Sequence, residues 1–175
     1  MCIDFYRLAA RCSQGFPSPS GGPILSPVTD DAPHLELWLV RHGQTTANQN
    51  SEFSGHTDVR LTEKGEAEAR ALRPRLAGTD FDGVWSSDLQ RAIHTARLAH
   101  SEPTPDPRLR ELDFGELEGE RWDELDPAIA EALIAFDGFQ APGGESTAAF
   151  EKRVLSFVES LPPGRHLLVA HGGVV

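Results

Sequence analysis

Residues 35–48 read LELWLVRHGQTTAN, and this stretch decides the fold. Leu35, Leu37, Trp38, Leu39 and Val40 make a dense apolar run of strand length, which stops at Arg41-His42-Gly43. A guanidinium, an imidazole and a glycine thus follow a buried strand directly. Open α/β sheets bind ligands at that position, because the carboxyl ends of their strands open into a crevice.

Downstream, the chain repeats the strand-to-helix alternation. Thr62 is placed to cap a helix in which Ala69, Leu72 and Leu76 share a face, with Gly78 ending it and Pro74 kinking it or stopping it early. Phe81 to Trp85 reads as a second strand, and Ser87-Asp88-Leu89-Gln90 reads as a capping box opening a helix to about Ala99. Pro103 to Pro107 reads as a loop and Leu109 to Leu112 as a short extended piece. Asp126-Pro127 begins a further helix that Gly138 closes, and Pro142-Gly143-Gly144 forms a turn. From about Thr147 a helix aligns Phe150, Val154, Phe157, Val158 and Leu161 until Pro162-Pro163, before a strand from His166 to Ala170. The alternation implies an α/β fold, a three-layer α/β/α sandwich with a mainly parallel central sheet.

Upstream, residues 1–33 are rich in Pro, Ser, Gly and Asp and read as a flexible N-terminal extension, within which a short helix over Ile3 to Arg11 is compatible with the sequence. Residues 34–175 then form one domain. Acidic residues outnumber basic ones by 27 to 16, and the resulting charge of −11 argues against nucleic acid or an anionic membrane surface as partner. No apolar run has the length of a membrane span, and Asp4, Arg7 and Arg11 interrupt the amino end where a signal peptide would need an apolar stretch. Cys2 and Cys12 both precede the apolar segments, which fits a reducing cytoplasm better than a disulfide or zinc site.

Three strand ends carry Arg41 with His42, Arg91 in the first turn of a helix, and His171 with Gly172; Glu111 follows a fourth extended segment. Two guanidiniums and two imidazoles converging on one point describe a phosphate clamp, since guanidinium forks match phosphate oxygens in a bidentate way. The rival use of His42, His171 and Glu111 as a metal site is disfavoured by the neighbouring arginines. His34, His56, His94, His100 and His166 have no partner in the pattern.

Five motifs in order resemble the histidine phosphatase superfamily, in the branch of the phosphoglycerate mutases and many small-molecule phosphatases. They are Arg41-His42-Gly43-Gln44-Thr45 with Asn48; Ser86-Ser87-Asp88-Leu89-Gln90-Arg91-Ala92 with Thr95-Ala96; Leu109-Arg110-Glu111 with Phe114-Gly115 and Glu118-Gly119; Pro142-Gly143-Gly144-Glu145-Ser146; and Ala170-His171-Gly172-Gly173. The resemblance implies phosphoryl transfer without metal or cofactor. His42 would become phosphohistidine and Glu111 would serve as general acid and base. Arg41, Arg91 and His171 would hold the phosphoryl oxygens, with Asn48 and the Gly172 amide adding hydrogen bonds. It also implies a further helix and strand after Val175, so the chain reads as truncated relative to that family.

Phosphatase and mutase share the phosphohistidine and differ in the acceptor. The segment from Leu112 to Arg165 holds twelve acidic and four basic residues, a poor receiver for a phosphoglycerate carboxylate, so hydrolysis of a small phosphorylated metabolite is the expected activity. An α-ribazole phosphate, a sugar phosphate, a phosphoamino acid and a phosphohistidine protein all fit that expectation. Mutase-type transfer and an inactive phosphate-binding fragment are the alternatives. Trp122, Phe136 and Phe139 are candidates for either pocket wall or core.

Overall fold

The computed structural model describes residues 5–11 and 34–175. In chain order the elements are β1 (Phe5–Arg11), β2 (His34–Arg41), α1 (Thr46–Asn50), α2 (Glu63–Leu76), β3 (Gly83–Ser86), α3 (Gln90–Ala99), β4 (Thr104–Pro105), α4 (Pro127–Ala135), α5 (Thr147–Ser160) and β5 (Gly164–Ala170), with 3₁₀ turns between β4 and α4. The five strands form one sheet in the order β1-β2-β5-β3-β4. β2, β5, β3 and β4 run parallel, and β1 lies antiparallel on β2.

Alternation along β2 and β5 explains the three layers. Val40, Leu167 and Val169 point to one face and pack with Leu72 and Leu76 of α2 and with Ala96 and Ala99 of α3. Leu37, Leu39 and Leu168 point to the other, where Phe157 of α5 and Leu109 meet them. The sheet is therefore buried on both sides, as the near-continuous apolar runs of its central strands require. A third cluster, of Leu112, Leu117, Leu133, Phe139, Ala141 and Phe150, lies under the segment after β4. Phe139 is thus core, while Phe136 ends α4 in the left-handed region and stays exposed.

Several local expectations change. Residues 5–11 form a strand rather than a helix, its register running from Phe5 opposite Val40 to Arg11 opposite His34. A seven-residue stretch carries too little periodicity to separate the two, and the edge of β2 supplies hydrogen-bonding partners that an isolated helix turn lacks. Residues 1–4 and 12–33 of the expected extension, with Cys2 and Cys12, lie outside the described residues. Thr104–Pro105, expected as loop, adds the short parallel edge strand β4, whereas the extended piece at Leu109 to Leu112 begins as a 3₁₀ turn over Pro107–Leu109. α2 runs through Pro74 to Leu76, because a proline in the last turn forfeits only one hydrogen bond. α4 stops at Ala135, before Gly138.

The capping box at Ser87 also does not form. Leu89 is the N-cap of α3; Ser87 Oγ instead accepts from the Leu89 amide at 3.3 Å, and Asp58 Oδ1 from a distant loop accepts from the first helical amide, that of Gln90, at 2.9 Å. By contrast Thr62 caps α2, Asp126 caps α4 and Ser146 caps α5 through side-chain oxygens.

Phe157 is only 1% exposed and stacks edge-on against Trp85 at 5.6 Å. Phe157→Ala should lower stability by about 3–5 kcal/mol, measured by urea unfolding, because it empties the contact between α5 and the sheet.

Candidate active site

β5 sits between β2 and β3, so the carboxyl ends of β2 and β5 lie side by side where the strand order reverses. The ladder continues one residue past β2, the His42 amide donating to Ala170 O at 3.0 Å. His42 and His171 are thereby brought into contact, their ring centroids 5.1 Å apart. The sharp turn after His42 requires glycine: a Cβ on Gly43 would meet Gly65 O at 2.3 Å, and one on Gly65 would meet Gln44 O at 2.1 Å. Two glycines thus let the loop lie directly on the first turn of α2. Thr95 holds the same loop from α3, its Oγ1 accepting from the Gly43 amide at 3.1 Å and donating to Arg91 O at 2.7 Å.

The tautomers of both histidines follow from their partners. Nδ1 of His42 lies 2.8 Å from Gly43 O, and a carbonyl can only accept, so Nδ1 carries the proton and Nε2 keeps its lone pair. His171 is the reverse: its Nδ1 faces Arg91 Nε at 3.3 Å and must accept, which leaves the proton on Nε2, a buried atom with no hydrogen-bond partner among the described residues. Burial first, and then the charge of Arg91, lower the pKa of His42 to about 3 and hold His171 well below the usual histidine range. Both rings are neutral at physiological pH.

Arg91 is completely buried and reaches the site from the first turn of α3. Its Nη1 donates to Thr57 O at 2.8 Å, and its Nη2 donates to Ser54 O at 3.0 Å and Gly55 O at 2.7 Å. With Nε on His171, four of five N–H groups point at protein. The expected bidentate fork therefore does not hold for Arg91, which presents one N–H at most. Burial lowers its pKa, and the carboxylates of Glu111, Asp58 and Glu118 oppose that shift.

Glu118 grips the same loop from the other side. Its Oε1 accepts from the amides of Gly55 at 2.9 Å and His56 at 2.8 Å, and its Oε2 accepts from that of Thr57 at 3.0 Å. The sequence singles out the motif but not this use of it. The pairing of a carboxylate with three successive amides spans more than sixty residues, and no local pattern announces it.

Glu111 enters from the loop after the Pro107–Leu109 turn. Its Oε1 accepts from the Leu112 amide at 3.0 Å and its Oε2 from the Gly173 amide at 3.1 Å. Any side chain at position 173 would collide, since a Cβ there falls 2.4 Å from Glu111 Oε1. Arg153 sets the backbone around it, donating to the carbonyl oxygens of Arg108, Arg110 and Glu111 at 2.9 to 3.2 Å while Glu145 holds the other edge of its guanidinium. Arg110 in turn pairs with Asp88 through two bonds of 2.6 and 2.7 Å.

Asn48 completes a capping box on α1: its Oδ1 accepts from the Thr45 amide and hydroxyl, so its NH₂ is the end left for the cavity it lines. Arg41 and His42 line the same cavity, about 520 Å³ in volume. Gly172 adjoins Arg41, whose Cζ would lie 3.4 Å from a Cβ at that position. Of the histidines without an expected role, His166 is structural, taking a bond from Trp85 Nε1 at 3.3 Å and giving one to Pro162 O at 3.0 Å.

Comparison with known proteins identifies the family. Residues 37–175 match the family model of the histidine phosphatase superfamily, branch 1. The adenosylcobalamin/alpha-ribazole phosphatase of Salmonella typhimurium is 37% identical over 153 residues, 81% of this chain and 76% of that protein. A probable phosphoglycerate mutase of Yersinia enterocolitica is 33% identical over 150 residues, 79% of this chain and 70% of that protein. A crystal structure described as phosphoglycerate mutase from Thermus thermophilus superposes with a TM-score of 0.75 at 50% identity, covering 79% of both chains.

Because the folded state keeps His42 and His171 neutral while the unfolded chain takes up protons below about pH 6.5, stability is full above that pH and falls as pH drops. Each histidine should contribute a slope of up to about 1.4 kcal/mol per pH unit between roughly pH 6 and 4. Unfolding followed across that range should show it, and His42→Gln should make the curve shallower.

Proposed function

The chain belongs to branch 1 of the histidine phosphatase superfamily, and on that basis we propose that it hydrolyses phosphate monoesters of small metabolites through a phosphohistidine formed on His42. The observation that carries this reading is the state of His42: a neutral ring whose Nδ1–H is fixed on Gly43 O, so that Nε2 offers its lone pair to phosphorus.

In the first step the Nε2–P bond forms as the P–O bond to the alcohol breaks, and protonated Glu111 gives its proton to the departing oxygen. In the second, water attacks phosphorus, Glu111 takes the proton, and the N–P bond breaks to release phosphate. The Nε2–H of His171 lacks a partner among the described residues and is suited to a phosphoryl oxygen, as are Arg41, the NH₂ of Asn48 and the Gly172 amide. Arg91 supports the same oxygens with its remaining N–H and by the charge it holds beside them. The proton donors and the nucleophile all come from this chain, so the mechanism uses no metal or cofactor. Such a metabolic role fits the cytoplasm.

Mutase-type transfer is the second reading, favoured by the names of some relatives. It needs a wall that accepts a carboxylate and excludes water. The segment from Leu112 to Arg165, with twelve acidic residues against four basic, favours hydrolysis instead.

Hydrolysis of para-nitrophenyl phosphate in excess chelator tests the proposal. Turnover should persist, and His42→Ala should abolish it together with acid-labile labelling of the protein; turnover in that variant would sink the mechanism. Glu111→Gln should slow hydrolysis by about 10²–10⁴-fold for alkyl phosphates, whose leaving oxygen needs a proton, and much less for para-nitrophenyl phosphate.

A further inference from the structure

Beyond the phosphoryl site the cavity runs between two walls of different chemistry. Residues 51–53 pair with 119–122 on one side: Trp122 donates its amide to Ser51 O, Phe53 to Glu120 O and Gly119 to Phe53 O, each at 2.9 Å. This short ladder sets the rings of Phe53 and Trp122 together, centroids 5.6 Å apart, with Phe114 backing Phe53 at 5.0 Å. Trp122 is held in place by its backbone yet 44% exposed, and it lines the cavity that His42 opens into. A rigid indole with a free face is a stacking surface for a ligand.

Three carboxylates line the same cavity, Glu52, Glu68 and Asp123. Asp123 is neutralised by Arg121 through bonds of 3.0 and 2.8 Å. Glu68 accepts only the Gln44 amide at 3.0 Å, and Glu52 only the Asn50 side-chain amide at 3.1 Å; among the described residues neither forms an ion pair, and the Arg121 guanidinium acts on Glu52 only through its longer-range charge. The wall is thus aromatic and negative next to a phosphate-binding centre that is positive.

We infer that this space holds the alcohol part of the substrate and selects a phosphate monoester whose alcohol is aromatic and carries an ammonium group. The inference rests on the phosphatase reading above. An ammonium gains from Glu52 and Glu68 and from the indole face of Trp122, whereas a second anion on the substrate meets carboxylates that form no ion pair among the described residues and is rejected. The phosphate is tolerated in the same cavity because Arg41 lines it and the buried charge of Arg91 acts on His42 in its wall.

Two substrates with the same phenolic leaving oxygen test this: 4-(aminomethyl)phenyl phosphate and 4-(carboxymethyl)phenyl phosphate. The 175-residue chain should favour the ammonium compound in kcat/KM by about fivefold or more at low ionic strength, and added salt should shrink the ratio. In the double variant Glu52→Gln with Glu68→Gln the ratio should fall towards one, a quantity that partial unfolding does not move because both substrates report on the same folded fraction. Trp122→Ala should raise KM for both compounds. A ratio near one or reversed in the unaltered chain, or one unmoved by the double variant, overturns the selectivity and leaves the phosphatase reading standing. No hydrolysis of either compound or of para-nitrophenyl phosphate overturns that reading, and this inference with it.

Discussion

A single buried guanidinium organises the centre of this protein. Arg91 has no solvent exposure, and an arginine cannot shed its charge, so its N–H groups must be matched by acceptors. Three backbone carbonyls of the loop at 54–57 and Nδ1 of His171 supply them. The loop would be a weak structure alone. It is fixed because its carbonyls face Arg91 while its amides face Glu118, two opposite charges on opposite sides of one stretch of backbone. The same interaction selects the tautomer of His171, so one residue sets a loop, a charge and a proton position together.

Around that centre, small residues decide how closely the elements approach. Gly43 and Gly65 allow the loop after β2 to rest on α2, and Gly173 allows Glu111 to reach the amide beside it. At each position a single methyl group would displace backbone or the Glu111 carboxylate. The sheet topology adds the last constraint, because inserting β5 between β2 and β3 puts His42 and His171 at neighbouring strand ends. The guanidinium of Arg41 and the carboxylates of Glu52, Glu68 and Asp123 then line one cavity, so charges of both signs face the same space in an acidic protein.

What was legible in the sequence follows from the range of the interactions. Central strands, the helices capped by Thr62, Asp126 and Ser146, and the two-sided burial of the sheet all arise from residues within a few positions of each other. Their apolar spacing and cap chemistry are therefore written locally. The motifs around Arg41, His42, Arg91, Glu111 and His171 were legible for a similar reason: each sits at an element end, where a charged residue breaks an apolar pattern. Only chain folding could decide that Asp58 rather than Ser87 caps α3, that residues 5–11 pair as a strand, or that Phe139 is core while Trp122 forms a wall. Each depends on a partner tens of residues away.

The sequence by itself determined the fold class, the strand ends that carry Arg41, His42 and His171 and the sign of the overall charge, since these depend on composition and short-range periodicity. Tertiary structure alone decided the proton positions on the two histidines, the conversion of Arg91 from an expected phosphate fork into a buried staple, and the support of Glu111 by Arg153 and Glu145. The physical reason is that a hydrogen bond's meaning depends on which atom faces which. That is fixed only when residues distant along the chain are brought within about 3 Å of one another in a dry interior.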